Sequence, residues 1–258
     1  MSSKIRVTVC ELNDSAAAFA SDWRALTAHV RAEDSQLVLL PEMPFCAWFG
    51  TTPNFDAQVW QTVVQTHDSW MARLGELAPA AVAASRPLNA GKKRLNQGFV
   101  WDGERGGYHP AHQKYYLPDE DGFWEASWYQ RGDGDFSAVQ SANFKIGFLI
   151  CSELWFMQHA RSYGQQGIHL LATPRASGKQ TVDKWLTAGR AAAMISGAFS
   201  LSSNHFDPEA NFGGQGWVIN PEGEVLGVTS QQKPFITMEI DLEEAEEAKH
   251  SYPRYMTD

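Results

Sequence analysis

The sequence predicts an α/β protein of four layers, an α–β–β–α sandwich formed as a single domain across residues 1–258. Three observations predict it. Segments of strand periodicity alternate with segments of helical periodicity along the chain. The strand–helix–strand pattern occurs in both halves without any repeat of residue identities, which suggests two packed sheets with helices outside. No linker rich in Pro, Gly or Ser divides the 258 residues, a length sufficient for one well-buried core.

Lys4 to Leu12 alternates Ile5, Val7 and Val9 with Arg6 and Thr8, and reads as a strand. Asn13-Asp14-Ser15 then supplies a cap for an alanine-rich helix to about Ala32. Gln36 to Leu40 is a short apolar run of the buried parallel-strand type, and it stops at Pro41-Glu42. After a loop to about Phe55, an amphipathic helix is expected to about Leu77. Ala80–Ser85 and Asn96–Trp101 read as strands, and the glycine-rich turn from Asp102 to Gly107 leads to a hairpin partner at Tyr108–Gln113.

Residues 114–135 are aromatic and acidic without clear periodicity, a long loop of the kind that is often functional. Phe144–Ile150 is a strand ending on Cys151, followed by a helix to about Gln166 and a strand at Ile168–Ala172. Thr181–Ala198 is helical. Three short strands close the chain around the turns Asn220-Pro221-Glu222-Gly223 and Ser230–Lys233, and Glu243, Glu244, Glu246 and Glu247 form a solvated acidic helix face.

Hydrophobic residues make up 43% and charged residues 20%, as in an ordinary globular protein, and the formal net charge is −9. That charge argues against binding nucleic acid or an anionic membrane. No apolar run approaches the roughly 20 residues of a membrane span, and Met1 to Ile5 leads into a strand without an apolar signal-peptide core. Cys10, Cys46 and Cys151 are odd in number and widely spaced, unlike a disulfide framework, so a reduced cytoplasmic setting is expected.

In α/β folds reactive groups gather beyond the carboxyl ends of strands. Glu42 and Cys151 meet that rule. A thiol at a helix N-terminus is favoured as thiolate, and the backbone N–H groups of Ser152 and Glu153 are placed to receive a developing oxyanion. Lys114 by itself reads as a solvated lysine, so the residues alone carry the case only to a Cys–Glu pair. Trp48, Phe49, Trp124, Trp128 and Trp155 each suit core packing, and together suit a narrow aromatic pocket for a small acyl chain. His109 and His112 lack a third metal ligand and suit hydrogen bonding. Gly213-Gly214-Gln215-Gly216 reads as a flexible loop.

Several segments, in order, carry a resemblance. They are Leu39-Leu40-Pro41-Glu42, Lys114-Tyr115-Tyr116-Leu117-Pro118, Glu125 with Tyr129 and Gly132, and Ile146-Gly147 through Cys151-Ser152-Glu153. Downstream stand Trp185 with Arg190-Ala191, Ser203-Asn204, and Gly216 with Ile219 to Leu226. Over nearly the whole chain the sequence resembles the nitrilase, or carbon–nitrogen hydrolase, superfamily. The resemblance implies Glu42 as base, Cys151 as nucleophile, Lys114 with a backbone N–H near Ser152 as oxyanion stabilisers, and Glu125 as the group that orients Lys114 and the substrate amide. It implies no metal or organic cofactor.

Glu153-Leu154-Trp155 departs from the many relatives with an arginine four places after the cysteine, and looks more like the glutaminase domains attached to some synthetases. Arg175 lies where the family places substrate-facing residues and is a candidate for binding a carboxylate, with a surface or dimer salt bridge as its alternative. Ser152, Trp128, Trp155 and Arg175 are thus the expected substrate-binding residues. The resemblance also implies a homodimer or larger homo-oligomer. The expected activity is hydrolysis of a small carboxamide through a thioester, with a nitrilase acting on a small nitrile as the alternative. A non-catalytic scaffold or binding protein of the same fold is the rival from another class.

Overall fold

The computed structural model describes residues 3–141, 143–208 and 211–256. Met1 and Ser2, part of the expected approach to the first strand, lie outside the described residues. The elements follow in chain order. β1 (Lys4–Asn13) leads to α1 (Ala16–Ala32), whose cap Ser15 accepts a hydrogen bond from the Ala18 N–H. β2 (Leu37–Leu39) is followed by α2 (Ala57–Met71), where Asp56 accepts from the N–H groups of Gln58 and Val59. Then come β3 (Ala81–Ala90), β4 (Lys93–Trp101), β5 (Tyr108–Gln113) and the helical turn α3 (Glu125–Trp128).

The second half runs β6 (Val139–Gln140), β7 (Lys145–Phe148), α4 (Met157–Gln165), β8 (Leu170–Arg175), α5 (Val182–Ser196) and β9 (Phe199–Phe206). It closes with β10 (Trp217–Ile219), β11 (Val225–Val228), β12 (Phe235–Asp241) and α6 (Leu242–Ala248).

Pairing sorts these strands into two sheets. The first has the order β5-β4-β3-β2-β1, with β12 antiparallel to β1. The second has the order β6-β7-β8-β9, with β10 and β11 continuing antiparallel beyond β9. The last residues of β1, Glu11 to Asn13, pair with Asn204 to Phe206 of β9 and join the sheets at one end. Val7, Val9 and Leu39 of the first sheet meet Phe148, Leu170 and Leu201 of the second in one buried cluster. On the outer faces, Trp23 and Leu26 of α1 pack on Val38 and Val82, while Trp185 and Ala192 of α5 pack on Leu171 and Trp217. The layers are therefore α–β–β–α, as expected, and burial of each large apolar side chain contributes roughly 1.5–3 kcal/mol.

Four local readings change. β3 and β4 form a hairpin longer than predicted, paired from Val82↔Trp101 to Ala90↔Lys93. The helix expected to reach Leu77 ends at Met71, and a 3-10 turn covers Leu74–Leu77. The chain after Cys151 starts as a 3-10 turn, Cys151–Trp155, before α4 begins. β9 is absent from the periodicity reading apart from its Ser203-Asn204 end, because its serines look polar. In the fold those serines are buried and bonded: Ser203 Oγ donates to the Leu39 carbonyl at 2.6 Å and Ser202 Oγ to the Thr173 carbonyl at 2.6 Å.

Candidate active site

β1 to β2, β7 to β8 and β8 to β9 are parallel pairs, so their carboxyl ends lie along one edge of the molecule. Glu42 follows β2 by way of Leu40 and Pro41, and its N–H donates to the Arg175 carbonyl at the end of β8, 3.2 Å away. Its own carbonyl accepts from His205 Nε2 at 2.6 Å. Lys114 follows β5, with its N–H bonded to the Asn96 carbonyl at 2.9 Å. Glu125 opens α3. Cys151 lies beyond β7 with φ +49°, and Met43, directly after Glu42, has φ +43°. Such left-handed backbone costs a non-glycine residue about 1–3 kcal/mol and tends to persist where the surroundings enforce it, as at active sites.

These side chains converge. Lys114 Nζ lies 2.7 Å from Glu42 Oε1, 2.8 Å from Glu125 Oε1 and 2.6 Å from Glu125 Oε2. Asn96 Nδ2 donates to Glu42 Oε1 at 2.7 Å, whereas Glu42 Oε2, also buried, has no hydrogen-bond partner among the described residues. Cys151 Sγ is 3.7 Å from the Ala176 carbonyl oxygen. Burial alone would lower the Lys114 ammonium, but Glu125 and Glu42 outweigh it and hold its pKa above the ordinary lysine value. Burial pushes the Glu125 carboxyl up to about 7, Lys114 opposing and Glu42 assisting.

The thiol behaves otherwise than predicted. Burial, and after it the charge of Glu42, raise the Cys151 pKa above its ordinary value, with Lys114 opposing. The helix expected to favour a thiolate is a 3-10 turn of five residues. Its dipole is short, and it does not offset desolvation of a buried sulfur.

A cleft of about 910 Å³ opens above this cluster. Cys151, Glu125, Ser152 and Trp155 line it, joined by the rings of Trp48, Phe123, Trp185 and Phe212. Of the expected substrate-binding residues, Ser152 and Trp155 therefore face the cleft. Trp128 does not: it is buried against Phe49, ring centroids 5.2 Å apart, and its Nε1 donates to the Thr52 carbonyl at 2.7 Å. Arg175 is also buried away from the cleft. Its guanidinium donates to Ser202 Oγ, Ser177 Oγ and the Gln215 carbonyl, each at 2.7 Å, and lies 4.2 Å from the Trp217 ring centroid. Three of its five N–H groups are thus engaged within the protein, and the side chain, 1% exposed and absent from the cleft wall, is placed neither to meet a substrate carboxylate nor to form a surface salt bridge.

Phe123, Phe212 and Asp14 are cleft residues that the sequence reading missed in that role. The two phenylalanines sit in loops without periodicity. By sequence Asp14 reads as part of a helix cap, but its carboxylate accepts from the Trp48 N–H at 2.9 and 3.2 Å. A smaller cleft of about 410 Å³ lies elsewhere, lined by Ile5, Arg31, Asp34 and Phe144 among others and by neither Glu42 nor Cys151. Among the described residues, no group of three or more His, Cys, Asp or Glu is arranged to hold a metal ion. Nor is any helix among them long and apolar enough to cross a membrane.

Gly132 supports the lysine. Its N–H donates to the Lys114 carbonyl at 3.0 Å, and a Cβ there would meet the Gln113 carbonyl oxygen at 2.3 Å. Gly132→Ala is expected to cost about 1–3 kcal/mol of stability through that clash and to lower turnover by displacing Lys114. Thermal unfolding and kcat of the purified variant check both.

The family model described as carbon-nitrogen hydrolase matches residues 6–250. The chain belongs to the carbon–nitrogen hydrolase family. This hydrolase-family chain is 25% identical over 162 residues to the N-carbamoylputrescine amidase of Solanum tuberosum, a match covering 56% of this chain and 54% of that protein. It thus spans about half the length of the first curated relatives it matches. It is 26% identical over 244 residues to the omega-amidase of Mus musculus, covering 89% of this chain and 85% of that one.

Among solved structures, it superposes on a carbon-nitrogen hydrolase from Helicobacter pylori G27 with a TM-score of 0.83 and 22% identity, covering 98% of this chain and 94% of the other. A mutant of the amidase from Nesterenkonia sp. AN1, in complex with butyramide, gives 0.78 at 18% identity over 94% and 93% of the two chains. At these identities the likeness establishes the fold.

Proposed function

We propose that this protein hydrolyses a small carboxamide, releasing ammonia through a thioester on Cys151. The observation that carries the reading is Lys114 Nζ held between Glu42 and Glu125 beneath a cleft whose wall includes the Cys151 thiol. Amidases among the relatives support the choice of an amide.

Because burial keeps the thiol protonated, its proton leaves as the sulfur attacks, and the unpartnered Glu42 Oε2 is the acceptor at hand. The S–C bond forms and the carbonyl π pair moves to oxygen, where Lys114 and a backbone N–H near Ser152 stabilise the negative charge. Glu42 passes its proton to the amide nitrogen, the C–N bond breaks, and ammonia departs. Water then gives a proton to Glu42 and its oxygen to the thioester carbon. The acid leaves as the proton returns to sulfur. Glu125 holds the Lys114 ammonium in place throughout and faces the cleft, where its carboxyl can meet the substrate amide.

The cleft walls carry the reading further. Among the described residues, Asp14, Glu120 and Asp121 line it in addition to Glu125, against the single cation Lys179. With Arg175 buried elsewhere, a carboxylate on the substrate's tail would meet like charge, whereas a neutral or cationic tail would lie among aromatic rings. The same reading includes a single domain, a cytoplasmic setting and assembly with further copies of the chain, for which exposed Val225, Leu226 and Val228 on β11 offer an apolar surface.

Ammonia release from matched amides and nitriles with neutral, cationic and carboxylate tails tests the proposal. Neutral and cationic amides are expected to exceed their carboxylate counterparts in kcat/KM by about tenfold or more. A response confined to nitriles would replace the amidase reading with a nitrilase. Preference for carboxylate tails would overturn the assignment of the cleft, and silence across the panel would favour a binding protein of this fold.

A further inference from the structure

We infer that His112 and Glu153 form a buried ion pair that positions Lys114 against Cys151, making both of them positioning residues for the reaction. The inference concerns the site as read above and rests on that reading for its effect on turnover.

The geometry begins with the histidine. His112 Nδ1 lies 2.8 Å from the Asp135 carbonyl oxygen, and Nε2 lies 3.0 and 2.9 Å from the two oxygens of Glu153. Neither an amide carbonyl nor a carboxylate can donate, so each ring nitrogen must carry the hydrogen. A ring with both nitrogens protonated is an imidazolium. Burial would lower its pKa, but Glu153, joined by the Asp135 carbonyl and Asp133, outweighs burial and holds it above the ordinary histidine value. The other groups facing the ring are Asp133, His159 and the ring of Phe136, whose centroid is 4.6 Å away.

Glu153 does more than neutralise that charge. Its Oε1 accepts from the Tyr115 N–H at 2.7 Å, and its Oε2 accepts from the Ile150 N–H at 2.9 Å. Tyr115 directly follows Lys114, and Ile150 directly precedes Cys151. One fully buried carboxylate therefore holds the lysine segment after β5, in the first sheet, to the thiol segment after β7, in the second. Ser152 Oγ extends the seam by donating to the Tyr116 carbonyl at 2.6 Å. Cys151 needs such a constraint, because its left-handed backbone would otherwise relax and carry the sulfur with it. The reaction requires Sγ and Nζ to bracket one carbonyl group, so their separation matters directly. A misplacement of about 1 Å can cost on the order of 10²-fold in rate.

Two variants test the pair. Glu153→Gln puts an N–H donor where one backbone N–H now finds an acceptor, and it removes the charge facing His112. Its kcat is expected to fall about 10²-fold with a much smaller change in KM, since no contact to substrate is lost. His112→Gln can still donate to Glu153 but cannot titrate. Wild-type kcat is expected to fall in alkali as the imidazolium deprotonates and leaves Glu153 unpaired; His112→Gln should keep more activity than His112→Ala and should lose that fall.

Near-ultraviolet circular dichroism establishes that each variant is folded. The pH dependence of Cys151 alkylation by iodoacetamide gives a readout that needs no substrate. Changed alkylation in both variants, without turnover by any of the proteins, would retain the pair and reject the amidase reading. Wild-type kcat and alkylation in folded Glu153→Gln would overturn the pair, as would an alkaline limb of unchanged midpoint in His112→Gln.

Discussion

Cys151→Ala is expected to abolish ammonia release, lowering kcat by about 10⁴-fold or more, while leaving the fold intact. Every covalent step proposed here passes through Sγ, and no neighbouring side chain supplies a comparable nucleophile. Cys10 is fully buried in the layer between the first sheet and its helices, and it donates to the Leu39 carbonyl at 3.4 Å. Removing a nucleophile that acts together with its base typically costs as much as removing the whole set, hence the size of the effect. Stability should stay within about 1 kcal/mol, because alanine retains the Cβ and meets the same backbone strain at φ +49°. Paired measurements of kcat and thermal unfolding decide the matter. A folded variant keeping even a tenth of the wild-type rate would place the chemistry elsewhere.

Lys114→Met carries the second large effect, and it acts on stability as well as rate. The substitution preserves much of the side-chain volume but leaves Glu42 and Glu125 buried beside one another without their shared cation. Breaking a buried ion pair from one side costs about 3–5 kcal/mol. Loss of an oxyanion donor costs about 10²–10³-fold in kcat.

The pH dependence has a definite sign. In the wild type the folded-state Glu125 pKa is raised from 4.5 to about 7, so the folded protein binds that proton more tightly than the unfolded chain does. Stability from this group therefore falls as pH rises between those values. Without Lys114 the largest influence opposing the rise is lost, so the loss continues to higher pH. The variant should come nearest to wild type in acid and fall furthest behind in base. A stability deficit constant across a series of melting temperatures at pH about 5–8 would mean that the two carboxylates do not share their charge with Lys114.

Half of the reactive cluster was legible from chain pattern alone. Glu42 and Cys151 end apolar strand runs, and parallel pairing carries such ends to one edge of the molecule. Lys114 and Glu125 lie in or beside the aperiodic stretch 114–135, where no repeat marks a face, and only a family resemblance pointed to them. His112 reads by sequence as a hydrogen-bonding residue, and it is one, but its partner Glu153 lies 41 residues away, which no local pattern reveals. Trp128 and Trp155 looked alike in sequence. One is sealed behind Phe49 and the other lines the cleft.

Chain pattern alone carried the alternation of strands and helices, the cap ahead of the first helix, and the positions where strands release reactive side chains. These are consequences of period and of near-neighbour bonding, which a short stretch of residues carries within itself. Packing settles which aromatic rings meet the cleft, that Arg175 bonds Ser177, Ser202 and Gln215, and that the Cys151 thiol pKa is raised rather than lowered. Those outcomes depend on desolvation and on charges brought together by the packing of two sheets. Burial of a charge or a thiol is set by what covers it, and for Cys151 the cover includes Glu42, Lys114 and Ala176, all distant from it along the chain.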